Sequence, residues 1–465
     1  MPSHYPFLRR RGAASLAAGI VLALAVSTPA AADPSDAEIR NADSDNAIDG
    51  HYIVKLAEPA SDERVSELAA EYGGTVTDVL DSVDAFTVSV EEAGAERLVA
   101  EEIVDVVEQD TMVSDDGVIE RPAAQASEVD AATVASWGLD RIDQRDLPLD
   151  DSYTDPNGGE GVNLYIIDSG IRGTHEEFGG RVLPGVDFVD PERDGRYDCR
   201  HHGTHVAGTA GGSQHGVARQ AALIPVRVLN CDGYTPLSRM IAGVEWVTEN
   251  AELPAVANVS IRNSPSDVLN AAVAASVEAG VVYVASAGNN DTTACSQSPA
   301  DEPSAITVAA SNEADARWES SNYGECVDIF APGQHIPSSI ATDDSSYASG
   351  TGTSMAVPHV VGVAAQYLSD HPRATPSRVA RALTANASRD RIADAGPDSP
   401  NLMLYNGFLT GDGDPCVMAP WSLAETYTAG DEVSHERTAY RAKWWTEGEE
   451  PGAPGTAAWE RIGAC

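Results

Sequence analysis

The sequence predicts an α/β protein: a mainly parallel sheet sandwiched by helices, preceded by a small α+β unit and followed by a small all-β module. Three observations carry this. Between residues 136 and 409, apolar strand-like runs alternate with helix-like segments, the pattern of a parallel sheet covered by helices. Residues 33–120 hold 25 acidic and 4 basic residues, yet keep strand and helix periodicities. Residues 416–465 are bounded by two cysteines and contain four of the seven tryptophans.

The elements follow in chain order. Arg9, Arg10 and Arg11, an apolar stretch from about Ala13 to Val26, and Ala30-Ala31-Ala32 read as a secretory signal over residues 1–32. The apolar run is shorter than the roughly 20 residues a membrane span needs. A secreted, extracellular protein with no membrane attachment after signal removal is therefore expected. In residues 33–127, His51–Leu56 reads as a strand, Ser61–Tyr72 as a helix and Phe86–Val90 as a strand. Glu91–Glu102 reads as a second helix and Val104–Val107 as a last strand, giving β-α-β-α-β. Residues 117–135 look like an exposed, cleavable linker. In residues 128–409 the strand-like runs are Val162–Ile167, Leu223–Leu229, Val256–Ile261, Val281–Ala285 and Ile306–Ala309. Helices are expected at Leu237–Asn250, Asp267–Ala279, Ser354–Leu368 and Pro376–Ala385. Residues 410–415 form a polar linker, and 416–465 should be a three-stranded β module.

The net charge of −43, from 72 Asp and Glu against 29 Lys and Arg, argues against nucleic acid or an anionic membrane as partner. Six cysteines in an exported chain suggest disulfides, with fifteen pairings open. They fall into three sequential pairs: Cys199 and Cys231, Cys295 and Cys326, Cys416 and Cys465. Neighbour pairing is the simplest. No pair has the close spacing of a zinc knuckle.

Asp168 ends a buried strand in Leu164-Tyr165-Ile166-Ile167-Asp168-Ser169-Gly170. His202 lies in His201-His202-Gly203-Thr204-His205, and Ser354 opens a helix after Gly350-Thr351-Gly352-Thr353. Acyl transfer needs a nucleophile, a base to take its proton and a carboxylate to hold the base's tautomer; Ser354, His202 and Asp168 are of those types. His201 and His205, four apart, could share a helix face and bind metal, but no zincin pattern follows, so His205 is expected to pack beneath the site.

These motifs, in this order, resemble the subtilisin-like serine proteases, and most closely their proteinase K-like, disulfide-bearing bacterial branch. The resemblance extends through Trp137–Gln144, Ser321-Asn322-Tyr323-Gly324 and Phe330-Ala331-Pro332-Gly333. It implies a serine endopeptidase acting on proteins or peptides, with Asn289 of Ala287-Gly288-Asn289 as oxyanion donor beside the backbone N–H of Ser354. It implies substrate binding between two strands, here Gly233-Tyr234-Thr235 and Ser260-Ile261-Arg262, each with a side chain where the family has glycine. Arg262 is therefore expected to favour acidic residues in the peptide. His201 also stands where the family has glycine. The resemblance pairs Cys199 with Cys231 and Cys295 with Cys326. It implies structural calcium on the carbonyls of Pro303 and Ala305 and the carboxylate of Asp328.

Residues 51–113 resemble the family's inhibitor-type propeptide, which implies a self-processing zymogen capped by its own N-terminal unit and cut between about Gly117 and Ala135. The Tyr440–Trp445 segment resembles small chitin- and cellulose-binding modules of secreted hydrolases. It implies an insoluble polysaccharide as partner, held by rings drawn from Trp421, Tyr427, Tyr440, Trp444, Trp445 and Trp459, with Tyr427 and Trp445 favoured. A non-catalytic adhesion protein, or an esterase or ligase using the same three residues, are the rival readings.

Overall fold

The computed structural model describes residues 38–115, 117–120, 135–411, 421–423, 425–435, 438–453 and 455–464. The signal at 1–32, the 127/128 boundary and the Cys416–Cys465 pair lie outside them. No helix among the described residues is long and apolar enough to cross a membrane.

The N-terminal unit is β1 (Ala47–Leu56), α1 (Asp62–Glu71), β2 (Thr75–Leu80), β3 (Ala85–Ser89), α2 (Glu92–Leu98) and β4 (Val104–Ser114). The order is thus β-α-β-β-α-β. The strand β2 escaped the periodicity reading because both of its faces stay partly exposed, so no apolar alternation marks it. The strand β4 runs well past Val107. Its extra residues leave the small unit and enter the larger one, which no local pattern could indicate.

Short strand β5 (Val118–Ile119) follows, so part of the expected linker is paired structure. The large unit then runs α3 (Trp137–Asp143), β6 (Asn163–Asp168), β7 (Val186–Asp187), α4 (His202–Gly211), β8 (Ala222–Arg227), β9 (Tyr234–Pro236) and α5 (Leu237–Asn250). It continues with β10 (Ala255–Val259), α6 (Asp267–Glu278), β11 (Val282–Ser286), β12 (Ile306–Ser311), β13 (Ile329–Pro332), β14 (Ile336–Ser339) and β15 (Tyr347–Thr351). It closes with α7 (Thr353–Asp370), α8 (Pro376–Asn386), β16 (Ser388–Arg389) and β17 (Leu402–Met403).

The main sheet has the order β16-β17-β13-β12-β11-β10-β6-β8-β7 and is parallel except at β16–β17. Its central strands are buried on both faces, which is why they read as continuous apolar runs. One face packs on α4 and α7 through Val206, Ala210, Val360 and Val361. The other packs on α5 and α6 through Leu237, Ile241, Val268 and Leu269.

That second core also takes in Ile53, Leu80, Val83 and Val113, so the N-terminal unit seats its apolar face on α5 and α6. Two of its acids cap those helices. Glu108 accepts the N–H of Asp267 at 2.8 Å and the hydroxyl of Ser266 at 2.6 Å. Asp110 accepts the N–H and the hydroxyl of Ser238 at 3.1 and 2.6 Å. A carboxylate at a helix N-terminus satisfies open donors and meets the positive end of the helix dipole. Burial raises both carboxyls above their ordinary range, and the donors only partly offset it.

The C-terminal module comprises β18 (Thr426–Tyr427), β19 (Glu432–His435), β20 (Thr438–Ala442), β21 (Thr446–Glu447) and β22 (Trp459–Ala464). The expected three-stranded sheet is present as β19-β20-β22, and β18 and β21 add a two-stranded ribbon.

Candidate active site

The parallel register delivers Asp168 at the end of β6, where it is fully buried. Its Oδ1 accepts the N–H of Ser169 at 2.7 Å. His202 opens α4, and its Nδ1 lies 2.9 Å from both carboxylate oxygens. An Nδ1–H donated to a carboxylate fixes the tautomer that leaves Nε2 as a base. The two elements approach this closely because residue 203 is glycine: a Cβ there would sit 2.2 Å from the carbonyl of Gly170.

Ser354 is the second residue of α7, where backbone N–H groups lack a helical partner. Its Oγ donates to the carbonyl of Ser260 at 3.3 Å. Asn289 follows β11. Its Oδ1 accepts the N–H and hydroxyl of Thr353 at 2.9 and 2.8 Å, which turns Nδ2 toward Gly352. Asn322 holds the same loop, donating to the carbonyl of Ala287 at 2.8 Å and accepting the N–H of Asn290 at 3.0 Å. This is the local reason for the Ser321-Asn322 motif.

Residues 112–115 and 117–120 lie in this site. Met112, Val113 and Ser114 pair antiparallel with Pro236, Thr235 and Tyr234 of β9. On the other side the N–H of Arg262 donates to the carbonyl of Ser114 at 3.2 Å. Of the six residues expected to bind substrate, Gly233, Tyr234, Thr235 and Arg262 make main-chain contacts with this stretch, and Ser260 contacts Ser354. Farther on, β5 pairs with Gly350 and Thr351 of β15. Between these stretches Gly117 lies against the imidazole: a Cβ there would be 2.6 Å from Nε2 of His202, and its Cα is 3.3 Å from a Cβ built on Gly352.

Residues 159–406 match the Subtilase family, and residues 420–460 match carbohydrate-binding module family 5/12. The chain belongs to the subtilase family. It is 42% identical to an extracellular serine proteinase of Thermus sp. (strain Rt41A) over 86% of this chain and all of that protein. It is 41% identical to alkaline serine exoprotease A of Vibrio alginolyticus, over 81% of this chain and 71% of that one. A crystal structure of a cold adapted subtilisin-like serine proteinase superposes with a TM-score of 0.57 at 47% identity, covering 59% of this chain and 99% of that chain. This subtilase is a serine endopeptidase with a C-terminal carbohydrate-binding module.

Two residues of the subtilase site were not evident in the sequence. Asp198, buried, accepts from the hydroxyls of Ser169 and Thr204 and from the N–H groups of Arg200, His201 and Thr204, all at 2.6–3.0 Å. It shapes the loop that presents His202. Its only signal was an Asp shortly before a helix start. Arg200, the other, forms a two-pronged pair with Asp115 of the threaded chain. Arg262, by contrast, directs its guanidinium to Oδ1 of Asn290 at 3.1 Å.

His205 is buried beneath the site with Nε2 3.0 Å from the carbonyl of Ile336. Burial, then the neighbouring His202, lowers its pKa to about 3, so it is neutral at physiological pH. Both expected subtilase disulfides are present, Cys199–Cys231 and Cys295–Cys326, with Cα atoms 5.1 and 5.3 Å apart. Among the described residues no group of three or more His, Cys, Asp or Glu gathers to hold a metal. Asp328 accepts the N–H of Thr307 at 2.8 Å, and burial pushes its carboxyl up to about 6.

In the module, Trp444 and Trp445 are 48% and 61% exposed. Tyr427 and Trp459, expected to face ligand, are instead core: both are buried and meet edge-to-face at 5.1 Å. A fifty-residue unit with few aliphatic residues must use rings to fill its interior. Trp421 and Tyr440 are partly buried against the same core.

His201 sits at φ +77°, in the left-handed region. A side chain there costs about 1–2 kcal/mol, against roughly 0.5–1 kcal/mol for the extra freedom of an unfolded glycine. His201→Gly is expected to stabilise the protein by about 0.5–1 kcal/mol, seen as a higher urea midpoint with an unchanged slope.

Proposed function

We propose that this subtilase is made as a secreted, self-processing zymogen. Ser354 is the nucleophile, His202 the base and later the acid, and Asp168 the group that orients His202. Asn289 and the N–H of Ser354 stabilise the oxyanion, where one donor is typically worth about 3 kcal/mol of barrier. The observation that carries the reading is the pairing of residues 112–114 with β9 and of 118–119 with β15, with Gly117 between them against Nε2 of His202. It supports a first cut at the bond before Gly117, just upstream of the stretch expected from sequence. Ser354 Oγ attacks the carbonyl of residue 116 and gives its proton to His202. His202 passes that proton to the departing amine of Gly117, and water then releases the acyl group. The N-terminal unit, docked on α5 and α6, is then an inhibitor that must leave. Secretion rests on the charged and apolar order of residues 1–32 and on the extracellular relative.

Asp328 with the carbonyls of Pro303 and Ala305 offers hard oxygen donors of the kind calcium takes. A half-buried carboxylate that accepts one backbone N–H has lone pairs to spare, and a cation offsets the cost of ionising it at neutral pH. Calcium there is structural. Trp444 and Trp445 are exposed neighbours in the chain, and exposed rings suit stacking on insoluble chitin or cellulose.

Wild type should split during secretion and leave a large fragment beginning at Gly117, while Ser354→Ala stays one chain; identical processing of the two in intact-mass spectra would defeat the zymogen reading. Chelating calcium should lower the unfolding temperature of the mature enzyme by about 5 °C or more, with a smaller drop in Asp328→Asn. Equal drops in calorimetry would remove Asp328 as a ligand. Replacing Trp444 and Trp445 together by Ala should weaken retention on chitin and cellulose by at least about tenfold, measured as depletion from solution; unchanged depletion would place the binding face elsewhere.

A further inference from the structure

The threaded chain carries a charge contact that backbone pairing does not require. Asp115 is only 2% exposed at its side chain, although it lies in a cleft that must open to substrate. Its two oxygens sit 2.9 Å from Nε and 2.9 Å from Nη2 of Arg200. A carboxylate taken out of water costs several kcal/mol unless it is paired, and the planar guanidinium fork is the geometry that pairs it best.

The pocket around this contact is built in advance. The N–H of Arg200 is held by Asp198 at 2.8 Å. Cys199, next to Arg200, is bonded to Cys231, two residues before Gly233. The disulfide therefore ties the loop carrying the guanidinium to the loop whose Gly233 carbonyl accepts the N–H of Asp115 at 3.2 Å. Gly233, at φ +86°, leaves the space: a Cβ there would lie 2.6 Å from Nε of Arg200 and 2.9 Å from Oδ2 of Asp115. Arg262 takes no part in this contact, since its guanidinium is turned to Asn290.

We propose that Arg200 is a specificity determinant that selects an acidic side chain at the second residue on the N-terminal side of the cut bond. The inference rests on the protease reading above, with the bond before Gly117 at the nucleophile. Asp115 is then the enzyme's own example of the preferred residue. An Asn in its place fits the same volume but leaves the guanidinium without its anion, and a Lys meets it with like charge. Arg200 is 39% exposed, so salt should weaken the preference.

The test uses mature enzyme and internally quenched peptides Met-Val-Ser-X-Asp-Gly-Val-Ile, with X as Asp, Asn or Lys. Wild type should cut the Asp peptide with kcat/KM about tenfold above Asn, and Lys should be worse still. The Asp-to-Asn ratio should fall toward one in Arg200→Gln and as sodium chloride is raised. In Arg262→Gly the ratio should persist. Equal rates for Asp and Asn in wild type, or an undiminished ratio in Arg200→Gln, overturn the proposal while leaving the protease reading intact. Failure to cut any peptide overturns both. If Arg200→Gln does not mature, the wild-type salt series decides: a ratio that holds at high salt overturns it.

Discussion

Asp168 has no access to water, and most of the site follows from that. A buried carboxylate must collect donors or give up its charge. Its donors are the N–H of the next residue and the imidazole of His202. For the imidazole to arrive, α4 must start almost in contact with the end of β6, which requires Gly203. The loop leading into α4 must turn sharply, which Asp198 enforces through five donors. The helix α7 must then point its first turn at the same spot, and the parallel register of the central strands sets that position.

The N-terminal unit uses its charge in a related way. Sequence alone offered only a solvated surface as the reason for 25 acidic residues in this stretch. Three of them make contacts with the large unit through buried carboxylates. Glu108 and Asp110 close the N-termini of α6 and α5, and Asp115 fills the guanidinium fork in the cleft. Capping by a separate unit means that α5 and α6 have open donors whenever that unit is absent. The unit therefore completes the large domain as well as covering its cleft.

The legibility of this chain was uneven for physical reasons. Leu237–Asn250 was readable to the residue because it has a long amphipathic period and sits between clear breaks. The central strands were readable because burial on both faces leaves uninterrupted apolar runs. Asp168, His202, Ser354 and Asn289 could be picked out together because they lie in separated motifs in a telling order. The long course of β4, the pairing of β5 and the Arg200–Asp115 contact were not legible. Each depends on two stretches of chain far apart in sequence, and neither stretch carries a local sign of the other. Tyr427 and Trp459 went to the core rather than the surface because ring count cannot tell a filler from a platform.

The pairing of residues 112–114 with β9 and of 118–119 with β15 has one more consequence. Both stretches are extended strands, and together they line a length of the cleft. Most contacts along that length are main-chain hydrogen bonds, which a helix or an interior strand has already spent on itself. A folded protein can offer such a stretch only by giving up local structure. The rate at which this enzyme cuts native proteins should therefore follow how often a target opens an extended segment, and its sites of attack should follow the target's weak points as much as its sequence.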